Sequence, residues 1–373
     1  MKNDCIAIVQ YRPLEALPPV MTLLNVLKRI GENVVFIGIE GPTGAAFFES
    51  AGVPYRFLIP THKSRLARGA TFYPRRWQLL SILKELRREY GKVTIWFQEC
   101  HSAALAGNAM YAFGRPIVTF FEYECNLGER WFGFDLERLY HTAVVVECER
   151  TRAEMTQKNH GLSETPLVIA NKPEIDASQI PPLNDEAKDV FSQIGERPVF
   201  MYQGNFGWDR KYAPFILETI AKKCPGYCVL VLPGNVEVKK LVSSYPNAFM
   251  LNNWISPPGH LAVTARATVG IATYFAEGDG VCAQNARYCA PNKIYEYAAL
   301  GVPTLGNDIP GLRTTIGAAR AGILCDMTED AIVAAANELV NNIADYRARA
   351  RQFYDGTNIE AQIKAVIARH RGQ

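Results

Sequence analysis

The sequence predicts an α/β protein of two successive Rossmann-like units, each a parallel sheet covered by helices on both faces. Short apolar runs recur along the whole chain with amphipathic helical patterns between them, the pattern of strands buried on both faces. The alternation lapses once, in a polar, Pro-rich stretch at 172–185. It then restarts and continues for a length similar to that before the break.

In the first half the apolar runs are 5–11, 34–39, 55–59, 93–97, 117–121, 144–146 and 167–170. The first run is too short for a signal peptide and lacks a small-residue cleavage site, so it reads as the first core strand. Apolar residues at helical spacing mark helices over 20–30 and 77–90. In the second half the runs are 198–202, 228–232, 248–251, 268–272, 303–305 and 322–325. The expected domains are therefore 1–175 and 190–345, with a linker over 172–190. The stretch 346–373 reads as helix interrupted near Gly356.

Composition narrows the class. Lys and Arg number 40 against 37 Asp and Glu, a formal net charge of +3 that gives no case for nucleic acid. No apolar run approaches the ~18 residues that span a bilayer, so the expected protein is cytoplasmic, soluble or resting on a membrane surface. The nine Cys are scattered, most of them in apolar runs, as in a reducing compartment where Cys packs as a small hydrophobe. Cys224 and Cys228 have neither a second pair nor a His at ligand spacing, and no metal or cofactor is expected. Gln10-Tyr11-Arg12-Pro13 follows the first run where a dinucleotide-binding protein carries Gly-x-Gly-x-x-Gly.

The most informative stretch is Pro291-Asn292-Lys293-Ile294-Tyr295-Glu296-Tyr297-Ala298-Ala299-Leu300-Gly301-Val302-Pro303. Pro291 suits a first helical position, and Ile294, Tyr297, Ala298 and Gly301 share one face. Gly301 suits the left-handed turn that stops the helix before the next strand. Glu296 is an isolated acid among apolar neighbours. A carboxylate only accepts hydrogen bonds, so the vicinal hydroxyls of a ribose are natural partners. Lys293, one turn earlier, could face a phosphate. A second signal is the run 199–202 followed by Gln203-Gly204-Asn205-Phe206-Gly207-Trp208-Asp209-Arg210-Lys211 and a helix, an arrangement that aims backbone amides at an anion.

The Pro-Asn-Lys-x-x-Glu-Tyr stretch resembles the nucleotide-sugar site of GT-B glycosyltransferases, of the family 4 type and related bacterial polysaccharide enzymes. The resemblance covers most of 198–326. It implies GT-B architecture, with two Rossmann-like domains facing across a cleft and the last helix, 346–373, returning to the first domain. It also implies a donor site. Glu296 would hold the ribose, and Arg210, Lys211 and Lys293 the diphosphate. Gly204, Asn205, Gly234, Asn292 and Tyr274 would line the donor, with Trp254 and Ile255 at the base. Asn205 replaces the family's Arg and Arg210 stands at its Lys position, where a guanidinium can grip a diphosphate bidentately. The family 4 pattern has an acid eight residues before Glu296; here Tyr288 stands there.

In the first half, Glu122 follows the run 117–121 and is the first candidate for a base on an acceptor hydroxyl, with Glu99 and His101 behind it. Arg152 is a weaker candidate for a phosphate contact. Residues 63–77 carry Lys63, Arg65, Arg68, Arg75 and Arg76 among Phe72, Tyr73 and Trp77, a mixture suited to an anionic membrane surface. The expected activity is transfer of a sugar from a nucleoside diphosphate sugar, a UDP-sugar, to a glycan, lipid-linked acceptor. Cations rather than a metal would meet the leaving diphosphate. A sugar-nucleotide 2-epimerase of the same architecture and a non-catalytic partner subunit are the alternatives.

Overall fold

The computed structural model describes residues 4–42, 44–60, 65–123, 134–204 and 211–372. The chain divides into two units, 1–173 with 358–373, and 174–357. The first unit holds a seven-stranded sheet of order β3-β2-β1-β4-β5-β6-β7. Its strands are β1 (Cys5–Pro13), β2 (Asn33–Ile39), β3 (Tyr55–Leu58), β4 (Val93–Gln98), β5 (Ile117–Phe120), β6 (Val144–Glu147) and β7 (Leu167–Val168). The second holds a six-stranded sheet of order β10-β9-β8-β11-β12-β13. Its strands are β8 (Val199–Gln203), β9 (Cys228–Leu232), β10 (Ala248–Met250), β11 (Val269–Ala272), β12 (Thr304–Asn307) and β13 (Gly322–Cys325). Every pairing is parallel. Each apolar run read from the sequence overlaps one of these strands.

Strand order fixes where ligands can bind. In an open parallel sheet a crevice forms outside the carboxyl ends of two adjacent strands whose following connections leave in opposite directions. In the first unit those strands are β1 and β4, with Gln10 opposite Gln98. In the second they are β8 and β11, with Tyr202 opposite Ile271.

Three boundaries differ from the sequence reading. The helix Asp185–Ile194 occupies part of the expected linker, capped by the Asn184 side chain on the Ala187 amide at 2.9 Å, and it buries Ala187, Phe191 and Ile194. The helix Ile343–Gly356 stays with the second unit, where Phe353 stacks on Tyr295 at 5.1 Å between ring centroids. Only the helix Ile359–Arg371 joins the first unit, not the whole of 346–373. It buries Ile359, Ile363, Val366 and Ile367, its Gln362 accepts from the Ala170 amide at 3.0 Å, and Arg371 grips both carboxylate oxygens of Glu32 at 2.9 and 2.8 Å. The helix read over 77–90 extends over Arg65–Tyr90 with Pro74 inside it. None of the helices searched is long and apolar enough to cross a membrane.

The described cysteines are free thiols. Burial pushes those of Cys5 and Cys148 up to about 12, as suits packing groups rather than nucleophiles.

Candidate functional site

The helix Asn292–Ala299 is held on the second sheet by Tyr297, which is fully buried. Its ring lies where a side chain on Gly270 of β11 would stand, and its hydroxyl takes the Gln203 amide at 3.3 Å. Gly301 stops the helix as the sequence suggests. Val302 N–H returns to the Tyr297 carbonyl at 2.8 Å and Gly301 N–H to that of Ala298 at 2.9 Å. Pro291 sits at the cap, one residue before the expected first helical position.

This anchoring sets Glu296 beside the last residue of β8. Gln203 donates its side-chain amide to Glu296 Oε2, and His260 Nε2 stands 3.5 Å from the same oxygen. The Gln203 carbonyl oxygen in turn accepts from the Thr264 hydroxyl at 2.8 Å. Glu296 and His260 are largely but not fully buried, with side chains 15% and 13% exposed. His260 Nδ1 is buried with no partner among the described residues. An ionised carboxylate offers about four lone-pair sites, so Oε1 remains for donors such as sugar hydroxyls.

Lys293 completes the group. Its ammonium lies 4.4 Å from the Tyr202 ring centre and 5.8 Å from that of Tyr274. It is also 3.3 Å from the point where a Cβ on Gly204 would stand. Gly204 has φ +124°, open only to glycine without strain. Tyr274 is fixed by two bonds to the Asn307 side chain, at 3.0 and 2.9 Å. The structure thus gathers Gly204, Tyr274, Lys293 and Glu296 at the β8–β11 crevice.

Other sequence candidates fall differently. Asn205 and Arg210 lie outside the described residues. Lys211 spends its ammonium on Glu277 at 2.9 Å, where the Tyr212 hydroxyl also donates. Asn292 is half-buried at the helix start. The Gly234 amide is taken by the Leu251 carbonyl at 2.7 Å. Trp254 is 70% exposed rather than packed, and Ile255 is half-buried beside it. Their loop is clamped by Glu186, which accepts from the Asn252 amide at 2.7 Å and the Asn253 side chain at 3.1 Å. The loop leads into the helix His260–Thr264, which supplies His260 and Thr264 to the Glu296 group.

In the first unit the β1–β4 crevice collects a second polar group. Gln10 and Gln98 are buried side by side, and Gln10 Oε1 and both terminal atoms of Gln98 have no partner among the described residues. Buried side-chain amides are ordinarily hydrogen-bonded, which makes these three atoms exceptional. Glu99 follows with φ +66°, a conformation costly outside glycine. It is held by its amide on the Thr119 carbonyl at 2.8 Å and by an ion pair to Arg12 at 3.3 Å. Burial, then the Arg12 charge, lowers the basicity of His101, which keeps it neutral near pH 7.

Glu122 instead follows β5, the next strand after β4, and is exposed. Arg152 is no phosphate ligand. It is buried and spends its donors on Glu147 at 2.9 Å and on the carbonyls of Phe121 and Phe120 at 2.9 and 3.3 Å. Arg75 likewise has no access to headgroups. It is fully buried, bonded to the Ile59 carbonyl at 2.6 Å, the Tyr11 hydroxyl at 3.1 Å and the Pro60 carbonyl. Sequence reading missed Gln203, Thr264 and His260, and Gln10, Gln98 and Arg12. A Gln at a strand's carboxyl end was the available signal, since such a residue is buried yet polar.

No protein-family model matches the chain, and no curated protein matches it. Solved structures do. A glycosyltransferase from Rickettsia africae superposes with a TM-score of 0.68 at 12% identity, over 100% of this chain and 98% of that one. HepE from Anabaena, in complex with UDP and glucose, gives 0.67 at 11% identity, over 100% of both chains. A UDP-N-acetylglucosamine 2-epimerase gives 0.60 at 15% identity, over 100% of this chain and 97% of that one. With its two parallel α/β units and these full-length likenesses, the chain has the GT-B fold.

Proposed function

We propose that this protein transfers a sugar from a UDP-sugar to a hydroxyl of a lipid-linked glycan in the assembly of a surface polysaccharide or glycoconjugate. The observation that carries the reading is the placement of Glu296 and Lys293, one turn apart, at the β8–β11 crevice, with Gln203 and His260 beside the carboxylate. Glu296 accepts the ribose hydroxyls. Lys293, with Arg210, meets the diphosphate, whose charge grows as the bond from the anomeric carbon to the phosphate oxygen breaks. The Anabaena structure, which holds UDP and glucose, supports a donor of this class. The acceptor hydroxyl forms the new bond to the anomeric carbon and gives up its proton. His101, neutral near pH 7, and Glu99 are the candidate bases, ahead of Glu122.

The test is release of UDP from a panel of UDP-sugars with and without lipid-linked glycan extracts. Release that needs both donor and acceptor is expected. The epimerase likeness and the His260–Glu296 pair favour one second reading, a sugar-nucleotide 2-epimerase. Formation of the 2-epimer of UDP-N-acetylglucosamine without acceptor, followed by NMR, would replace the first reading with that one. A chain that binds UDP but does neither is a non-catalytic partner.

A further inference from the structure

The second sheet ends in β13, which has no neighbour on its outer side among the described strands. Thr304 lies opposite Gly322, and the Thr304 amide donates to the Ala321 carbonyl at 3.2 Å. In a parallel pair the backbone groups of alternate residues face the partner strand. Ile323 therefore bonds to β12, while the N–H and C=O of Gly322 and Leu324 point outward. All four β13 residues are half-buried.

A shallow depression of about 430 Å³ runs along this edge, and Arg313, Arg320 and Arg349 line it with Gly322, Ile323 and Leu324. The cations flank both faces of the strand. Arg313 and Arg320 bracket the turn whose Gly317 packs on Leu324, with Leu324 Cδ1 3.2 Å from the place of a Cβ. Arg349 comes from the helix Ile343–Gly356, with its guanidinium 4.5 Å from the ring centre of Tyr346, against whose core cluster Ile323 packs. Asp308, also in the lining, binds Arg313 through both oxygens at 2.9 Å. Among the described residues no carboxylate is within ion-pair distance of Arg320 or Arg349.

We propose that the β13 edge docks an extended acidic segment of a partner protein as an added strand. The outward groups of Gly322 and Leu324 supply the backbone ladder, and successive carboxylates alternate between Arg320 on one face and Arg349 on the other. The same cations repel a basic edge and the β13 edge of a second copy, so the surface selects its partner by charge. None of these residues belongs to the donor site, so the proposal stands apart from the transferase reading.

The probe is a blocked hexapeptide of Glu and Val, with a Lys-and-Val counterpart. Anisotropy reads binding to the full chain, and amide hydrogen exchange reads the edge. The acidic peptide is expected to bind and the basic one not. Exchange at the Leu324 amide should slow several-fold. Arg320→Glu with Arg349→Glu should weaken binding at least tenfold while UDP binding persists, and the glutamine pair Arg320→Gln, Arg349→Gln should lower it without charge reversal. Absence of acidic-peptide binding at low salt would overturn the proposal. So would binding that leaves Leu324 exchange unchanged. If inorganic tripolyphosphate binds as tightly as the peptide and the edge amides stay unprotected, the patch is a phosphate site and the strand mode is wrong.

Discussion

Gln203 closes strand β8 by donating its side-chain amide to Glu296 on the helix Asn292–Ala299. One hydrogen bond thus fixes the carboxylate of the signature motif to the carboxyl edge of the sheet. The Thr264 hydroxyl holds Gln203 from behind, so the acid's partner is itself fixed before any ligand arrives. Such preorganisation reduces the ordering cost that binding must overcome.

Replacing Glu296 by Ala is expected to weaken UDP binding by roughly 1–3 kcal/mol, the range for losing a charged hydrogen-bond partner. Gln203→Ala should lose less, because it removes the orienting bond and leaves the acid. Calorimetric titration with UDP reads both. Unchanged affinity in a folded Glu296→Ala protein would remove Glu296 from the nucleotide site.

Gly204 and Lys293 are coupled by space. A methyl at Gly204 would stand 3.3 Å from the Lys293 ammonium, on a backbone with φ +124°. Gly204→Ala should therefore cost about 1–3 kcal/mol of stability from backbone strain and also displace the cation. Lys293→Ala should lower affinity for UDP far more than for uridine, as should Arg210→Ala. Equal losses for the two ligands would mean that these cations support the fold rather than the diphosphate.

The strands were legible because residues buried on both faces leave unbroken apolar runs, and 228–232 and 322–325 coincide with β9 and β13. The Glu296 motif was legible because an acid among apolar helical positions stands out. Its supporters were not, since His260 and Thr264 arrive from a short helix far back in the chain and nothing local marks them. Arg75 misled for a related reason. A row of Arg reads as surface charge, yet the fold turned Arg75 inward to satisfy carbonyls after β3. The final helix was assigned by resemblance, and only its side chains decide that 343–356 stays with the second unit.

His101 supplies a pH signature. Its folded pKa lies below the ordinary value, by burial first and by Arg12 second. The unfolded chain then binds the proton more readily, so this contribution to stability is complete above pH ~6.5 and is lost as pH falls through the lowered folded value. His101→Gln should reduce the fall in Tm between pH 7 and pH 5. If His101 is the base, the same change should also slow acceptor-dependent turnover by about 10²–10⁴-fold. A shift in stability without loss of turnover would leave the role to Glu99.

Residues 72–77 can be divided by experiment. Arg75 is sealed beneath the surface, and its guanidinium joins the chain after β3 to Tyr11 on β1. Arg75→Ala is expected to cost roughly 3 kcal/mol or more, because buried carbonyls lose a charged donor, and denaturant unfolding will read it. Trp77 and Tyr73 stay 70% and 50% exposed, in position to settle at an interface. Trp77→Ala should leave stability within about 0.5 kcal/mol, as at other surface sites. If this face meets membrane, the same change should lower co-sedimentation with anionic vesicles at high salt, where charge attraction is screened and ring burial remains. Equal sedimentation of wild type and Trp77→Ala would place the membrane contact elsewhere. An Arg75→Ala protein as stable as wild type would contradict the buried bonding described above.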